Sequence, residues 1–412
     1  MTRQNKIRVP YAQAVYGKDE IAAVLGVLKN PLKITAGPLV KKFETKIARL
    51  FGKRYGVMVN SGSSANLLAL EVLNFPKGSE VITPALTFST TLAPILQNGL
   101  SPVFADVEMG KYVINADLVE PLITKKTRAL MIPALIGNVP DMVKLRAVAK
   151  KYNLVFIEDS CDTLGARFAK LPTGRFSDIS TTSFYASHII TAAGGGGMVC
   201  FNDEALSRRA LVKSNWGRDS TLFGHYEQSE EIKKRFAGVL AGDRYDAKFI
   251  FSEVGYNFQP READAAFGLQ QLKKLSLFKK IRQVNFADLK KFFGKYEDFF
   301  ILPGEDTRAQ SNWLAFPLLV RDGAPFTRMA FTKYLEENNI QTRPIFTGNV
   351  LRQPAFISLA SQKLLEGGYP VTDYIMKSGF LVGCHQGLGR KQIDYLKEVV
   401  EAAIRKFTGR YA

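Results

Sequence analysis

The chain has 412 residues, 46% apolar and 23% charged, enough to bury large cores and to form two packed domains. Its formal charge is +18, but pairs such as Lys41-Lys42, Lys125-Lys126 and Lys279-Lys280 are scattered and join no nucleic-acid-binding motif. They read as a solvated basic surface with some attraction for nucleotide-linked anions. No apolar run spans a bilayer, the first 22 residues lack the apolar middle of a signal peptide, and Cys161, Cys200 and Cys384 stand far apart; these features argue against membrane spans, disulfides and cysteine-held metals and for the cytoplasm.

From about residue 37 to residue 200, short apolar runs alternate with stretches of helical spacing. Buried strands are predicted at 55–60, 80–84, 102–106, 129–135, 154–158, 179–185 and 197–201, with helices at 64–73 and 142–151 among the segments between them. Strands this continuously apolar imply a mainly parallel sheet covered on both faces, an α/β fold. Residues 219–246 are polar and glycine-containing and read as a long loop with some helix. A long helix at 263–283 then bridges to a tail of different texture. That tail has strands at 313–320, 341–345 and 380–384, a helix at 326–338 and a closing amphipathic helix at 391–407. The division expected is a large unit, 1–275, which includes an N-terminal arm, and a small α+β unit, 276–412.

Several turns in this frame carry chemistry. Asn60-Ser61-Gly62-Ser63-Ser64-Ala65-Asn66 follows a strand and opens a helix, so it reads either as a phosphate cradle or as a plain N-cap with a glycine turn. Asp159 ends an apolar strand, where acids of open α/β sheets meet ligands, though a turn-capping aspartate fits equally. Phe88 follows another strand end and is placed either in the core or against a flat ring. Asn257 is a candidate helix cap, and Arg343 and His385 lie in the tail. Residues 183–197 run Ser-Phe-Tyr-Ala-Ser-His-Ile-Ile-Thr-Ala-Ala-Gly-Gly-Gly-Gly, a strand end entering a glycine-rich turn with His188 in the sixth place.

The order and spacing of these pieces, from residue 11 to the last helix, resemble the DegT/DnrJ/EryC1/StrS family of nucleotide-sugar aminotransferases. The resemblance implies a fold-type I pyridoxal phosphate (PLP) enzyme, working as a homodimer with shared active sites. By motif position Gly62, Ser63 and Ser183 would hold the cofactor phosphate, and Phe88 would stack on its ring. Asp159 would pair with the ring nitrogen, and Asp162 joins the cofactor-binding set. Asn257 would reach the phosphate of the neighbouring subunit, while Arg343 and His385 are candidate substrate contacts.

The family's cofactor lysine is replaced here by His188. An imidazole keeps a proton-moving role and gives up the covalent anchor, so PLP and its amine form, pyridoxamine phosphate (PMP), would be held non-covalently. Histidine at this position resembles the lysine-lacking 3-dehydratases of nucleotide-linked 4-keto-6-deoxyhexoses, which use L-glutamate to restore PMP. Residues 343–349 and 380–386 look most like the branch acting on GDP-4-keto-6-deoxy-D-mannose. Residues 215–219 look more like a CDP-hexose branch that carries an iron–sulfur cluster, but 220–242 contain no cysteine, which rules out such a cluster on ligand count. A CDP- or dTDP-linked substrate, and a non-catalytic binding or regulatory role on the same fold, stand as alternatives.

Overall fold

The predicted strand segments of the first half form β1 (Tyr55–Val59), β2 (Glu80–Pro84), β3 (Ser101–Ala105), β4 (Thr127–Pro133), β5 (Val155–Asp159), β6 (Ile179–Ser183) and β7 (Gly197–Phe201), of which β6 is buried although four of its five residues carry hydroxyls. In this computed structural model, which describes residues 7–359 and 368–409, they make one sheet in the order β1-β7-β6-β5-β4-β2-β3. Residues 1–6, 360–367 and 410–412 of the two expected units lie outside the described residues. Strands β2 to β6 run parallel, and β7 is antiparallel to both β1 and β6.

Alternation along β4 explains why its sequence is apolar throughout. Ala129 and Met131 enter the core on one face of the sheet, and Leu130 and Ile132 enter the core on the other. The strand ends β1, β2 and β5 each run into a turn that carries one of the candidate residues, so the predicted positions converge at the carboxyl edge of the sheet.

The long helix exceeds its predicted length, running Glu262–Phe293. It continues because Leu289, Phe292 and Phe293 are buried in the core of the second unit. The expected boundary at 275/276 therefore falls inside one continuous helix. At its start, Glu262 accepts the Leu39 and Val40 N–H groups at 3.1 and 2.8 Å, satisfying two free amides of the helix Pro38–Leu50. Further along, the fully buried Arg282 donates to the carbonyls of Trp313 and Leu314 at 3.2 and 2.9 Å, tying the helix to the segment entering the small sheet.

That sheet is antiparallel: β8 (Phe300–Ile301), β9 (Phe316–Val320), β10 (Thr342–Pro344) and β11 (Gly379–Val382), in the order β8-β9-β11-β10. Phe293 stacks on Phe316 and meets Phe300 edge-on, and the helices Arg328–Glu337 and Arg390–Thr408 complete the core. The start of the N-terminal arm packs here, while Tyr16 meets Phe267 and Glu20 accepts from Gln271 and Lys274 on the part of the long helix expected with the large unit. Val9 pairs with Ile340, and the Tyr11 N–H donates to the Gln341 side chain at 2.9 Å.

Residues 219–246, expected as loop with some helix, hold short helical turns and also a hairpin, Gly238–Leu240 with Asp243–Tyr245. Its Ala241-Gly242 turn has positive φ at both positions, 53° and 96°, which matches the twist of a two-residue hairpin. Among the described residues no helix is long and apolar enough to cross a membrane.

Candidate active site

The turn after β1 is shaped by its own side chains. Ser61 caps the helix Gly62–Glu71 by accepting the Ser64 N–H at 3.1 Å, and the Ser64 hydroxyl donates to the Asn60 side chain at 2.7 Å. This leaves the first-turn amides and the exposed Ser63 hydroxyl for a ligand. Gly62 is required for close approach: a Cβ there would meet the Ser183 Cβ at 2.6 Å and the Cys161 sulfur at 2.9 Å. The glycine run pairs against the same turn, with Ser61 bridging Gly196, and a Cβ at Gly197 would lie 2.2 Å from the Ser61 carbonyl oxygen. The ends of β1, β5 and β6 are thus packed closely enough for Gly62, Asp159 and Ser183 to share one cavity.

That cavity has a volume of about 960 Å³, and its walls include Gly62, Ser63, Phe88, Asp159, Asp162, Ser183, His188 and Arg343. Asp159 is buried at the end of β5, and its Oδ2 accepts from the Asn66 amide and the Thr91 hydroxyl, both at 2.8 Å. The Thr181 hydroxyl in turn donates to the Asn66 oxygen at 2.6 Å. Asp159 Oδ1 accepts the Cys161 N–H at 3.2 Å. Phe88 is half exposed and meets Phe346 edge-on at 5.9 Å, leaving a ring face uncovered by that neighbour.

His188 sits across from these groups. Its backbone N–H donates to the Tyr185 carbonyl at 3.0 Å, and its Nε2 lies 3.7 Å from Asp162 Oδ1. Nδ1 is buried without a hydrogen bond of normal geometry. Burial pushes the imidazole down to about 4, against opposing pulls from the Ser183 backbone and Asp159. Asp162 moves the other way: burial pushes its carboxyl up to about 7 although the Ile136 N–H opposes this. An acid–base pair with such divergent environments is suited to moving protons near neutral pH.

Two predicted residues lie outside the cavity wall. Asn257 is exposed on the segment that bridges to Asn215. His385 is fully buried beneath the arm; its Nδ1 accepts the Gly387 N–H and its Nε2–H donates to the Pro10 carbonyl, each at 3.1 Å. With both ring nitrogens engaged there, the side chain makes no wall for a substrate. Arg343 does line the cavity, with its guanidinium 5.8 Å from the Tyr11 ring. Tyr11, Asn66, Thr91 and Tyr185 also line it, though sequence reasoning assigned them no role. Asn66, buried and polar in the Ala65–Leu70 stretch of its helix, was the one local signal for any of them.

The donor set suits PLP. Helix-end amides and hydroxyls lie on one side, a single fixed carboxylate oxygen on another, and an uncovered aromatic face between the strand ends. Among the described residues no lysine lines the cavity and no group of side chains could hold a metal ion.

Comparison with known proteins agrees with this geometry. The chain is 37% identical over 399 residues to a dTDP-4-dehydro-2,6-dideoxy-D-glucose 3-dehydratase of Saccharopolyspora spinosa, covering 94% of this chain and 84% of the relative. It is 31% identical to a GDP-4-keto-6-deoxy-D-mannose 3-dehydratase of Yersinia pseudotuberculosis, covering 97% of this chain and all of the relative. An Escherichia coli GDP-4-keto-6-deoxy-D-mannose-3-dehydratase structure with bound hydrated PLP superposes with a TM-score of 0.83 at 29% identity, over 96% of this chain and 100% of that one. The model of the DegT/DnrJ/EryC1/StrS aminotransferase family matches residues 15–402, and the chain belongs to that family.

Proposed function

We propose that this chain is a PLP/PMP-dependent 3-dehydratase that removes the C3 hydroxyl of a nucleotide-linked 4-keto-6-deoxyhexose. The observation that carries the reading is His188, an imidazole in a cavity with no lysine on its described wall. When bound, the cofactor supplies an amine that joins the C4 ketone and a ring that absorbs the charge left when a proton leaves its C4′ carbon.

The chain's own residues then have separable tasks. Gly62, Ser63 and Ser183 hold the phosphate, Phe88 covers a ring face, and Asp159, fixed by Asn66 and Thr91, keeps the ring nitrogen protonated. His188 takes the proton at C4′ and delivers one to the departing C3 oxygen, since no other imidazole lines the cavity. Arg343 attracts the anionic substrate, and Asp162 also contacts the cofactor. L-Glutamate restores the amine, so each turnover converts one keto sugar and one glutamate to deoxysugar, 2-oxoglutarate and ammonia.

The exposed position of Asn257, outside its own cavity, supports a homodimer in which it completes the partner's phosphate site. Division into a cofactor-binding unit, 1–275, and a smaller unit, 276–412, belongs to the same reading. The three free thiols and the nucleotide-sugar substrate favour the cytoplasm.

A panel of GDP-, CDP- and dTDP-4-keto-6-deoxyhexoses, with PLP and glutamate, tests the reading by product mass and ammonia release. A deoxysugar with matched ammonia and 2-oxoglutarate is expected from at least one nucleotide. An amino sugar, or no turnover with any of the three, overturns it.

A further inference from the structure

Asp162 is held from the side away from His188 by a strained turn. Ile136, a β-branched residue, takes left-handed backbone angles (φ 59°, ψ 12°) and directs its N–H to Asp162 Oδ2 at 3.1 Å. The strain is fixed from the second unit: the Leu314 N–H donates to the Ile136 carbonyl at 2.7 Å, and the Asn312 N–H donates to the Gly137 carbonyl at 3.1 Å. One carboxyl oxygen is thereby pinned, and the other faces His188 Nε2 at 3.7 Å, slightly beyond a hydrogen bond. Such contacts commonly shorten when a ligand fills the site.

We propose that Asp162 is a positioning residue that forms a proton-sharing dyad with His188, setting the ring's orientation and supplying the proton it moves. Its meaning for catalysis rests on the proton-carrying role given to His188 above. In the dyad the proton resides on the carboxyl oxygen or on Nε2, and its loss is a property of the pair and not of either group. The strained turn, unusual for a residue of this type, has a purpose in this arrangement: it keeps the carboxyl from rotating away.

The other charged or titratable groups facing the pair are Asp159, Cys161, Tyr11, Tyr185, Arg282 and Arg343. Burial raises Tyr11 and Cys161 so that both stay neutral near pH 7. Arg282, lowered to about 10 by burial, remains charged and disfavours the imidazolium. The carboxyl, pushed up to about 7, is then the group that releases the shared proton near neutrality.

The chain has only three histidines, so ring-labelled histidine and nuclear magnetic resonance isolate His188 by difference against His188→Asn. On the full chain, with and without bound PMP, the His188 signals should show a step near pH 7 as the dyad loses its proton. Asp162→Asn keeps an oxygen for the Ile136 N–H but cannot ionise. It should abolish that step and leave the ring neutral down to about pH 4. Asp162→Glu should restore a near-neutral step. A wild-type His188 with no near-neutral step overturns the dyad even if the variants do not fold. So does a step that survives Asp162→Asn, which would leave Asp162 as a cofactor contact alone. The titration needs no turnover, so a dyad found in a protein that dehydrates no sugar would sink the proposed function and spare this inference.

Discussion

A lysine amine and an imidazole differ in one decisive way beside an aldehyde cofactor: the first condenses with it, losing water, to form a covalent tether, and the second only exchanges protons. Replacing His188 by asparagine should therefore leave PMP affinity within a few-fold of wild type while lowering deoxysugar formation by roughly 10²–10⁴-fold. Equilibrium dialysis and product analysis separate the two effects, and near-normal turnover would assign the proton transfer to another group. The residues at strand ends were legible through the order and spacing of their motifs, which carry the family resemblance, and Gly62, Ser63, Phe88, Asp159, Ser183 and His188 meet in one cavity. What fixes them was not. Asn66 and Thr91 bind Asp159 across 93 and 68 positions, and Pro10 holds His385 across 375. No periodicity announces contacts at that distance.

At the level of elements, the helix Pro38–Leu50 buries Glu44 against β1, where its Oε1 accepts the Met58 N–H at 2.9 Å. Burial pushes this carboxyl up to about 7 despite Lys41 nearby. A raised folded value means the folded state holds the proton where the unfolded chain has lost it. The contribution is complete below the unfolded value of about 4.5 and is lost as pH rises to about 7. Unfolding free energy should fall across that window by up to about 3 kcal/mol from this group. Glu44→Gln retains the oxygen that accepts from Met58 and should flatten that part of the curve. Urea denaturation at pH 5 and pH 8 measures it, and equal slopes for both proteins would contradict the assignment. Element prediction succeeded where periodicity was strong and missed where tertiary packing decides. The long helix runs on to Phe293 because the second core accepts it, and the 238–245 hairpin depends on a two-residue turn inside a polar stretch.

Across the whole molecule, the site is assembled from parts far apart in the chain. The arm supplies Tyr11, the sheet edge supplies Asp159 and Ser183, and β10 supplies Arg343. If a second subunit also supplies Asn257, the Asn257→Ala variant should bind cofactor more weakly by roughly 1.5–3 kcal/mol. Mixing it with Asp159→Ala would then create dimers with one doubly defective site and one intact site. Partial recovery of activity over either variant alone is the expected result. No recovery, with subunit exchange confirmed, would place Asn257 in its own subunit's chemistry.

The account turns on the cofactor being held without a covalent bond. Borohydride reduction of the PLP-loaded enzyme followed by intact-protein mass spectrometry tests this directly. The account predicts the mass of the unmodified 45.8 kDa chain, with all reduced cofactor released on denaturation. A pyridoxyl group fixed to any active-site lysine would contradict it.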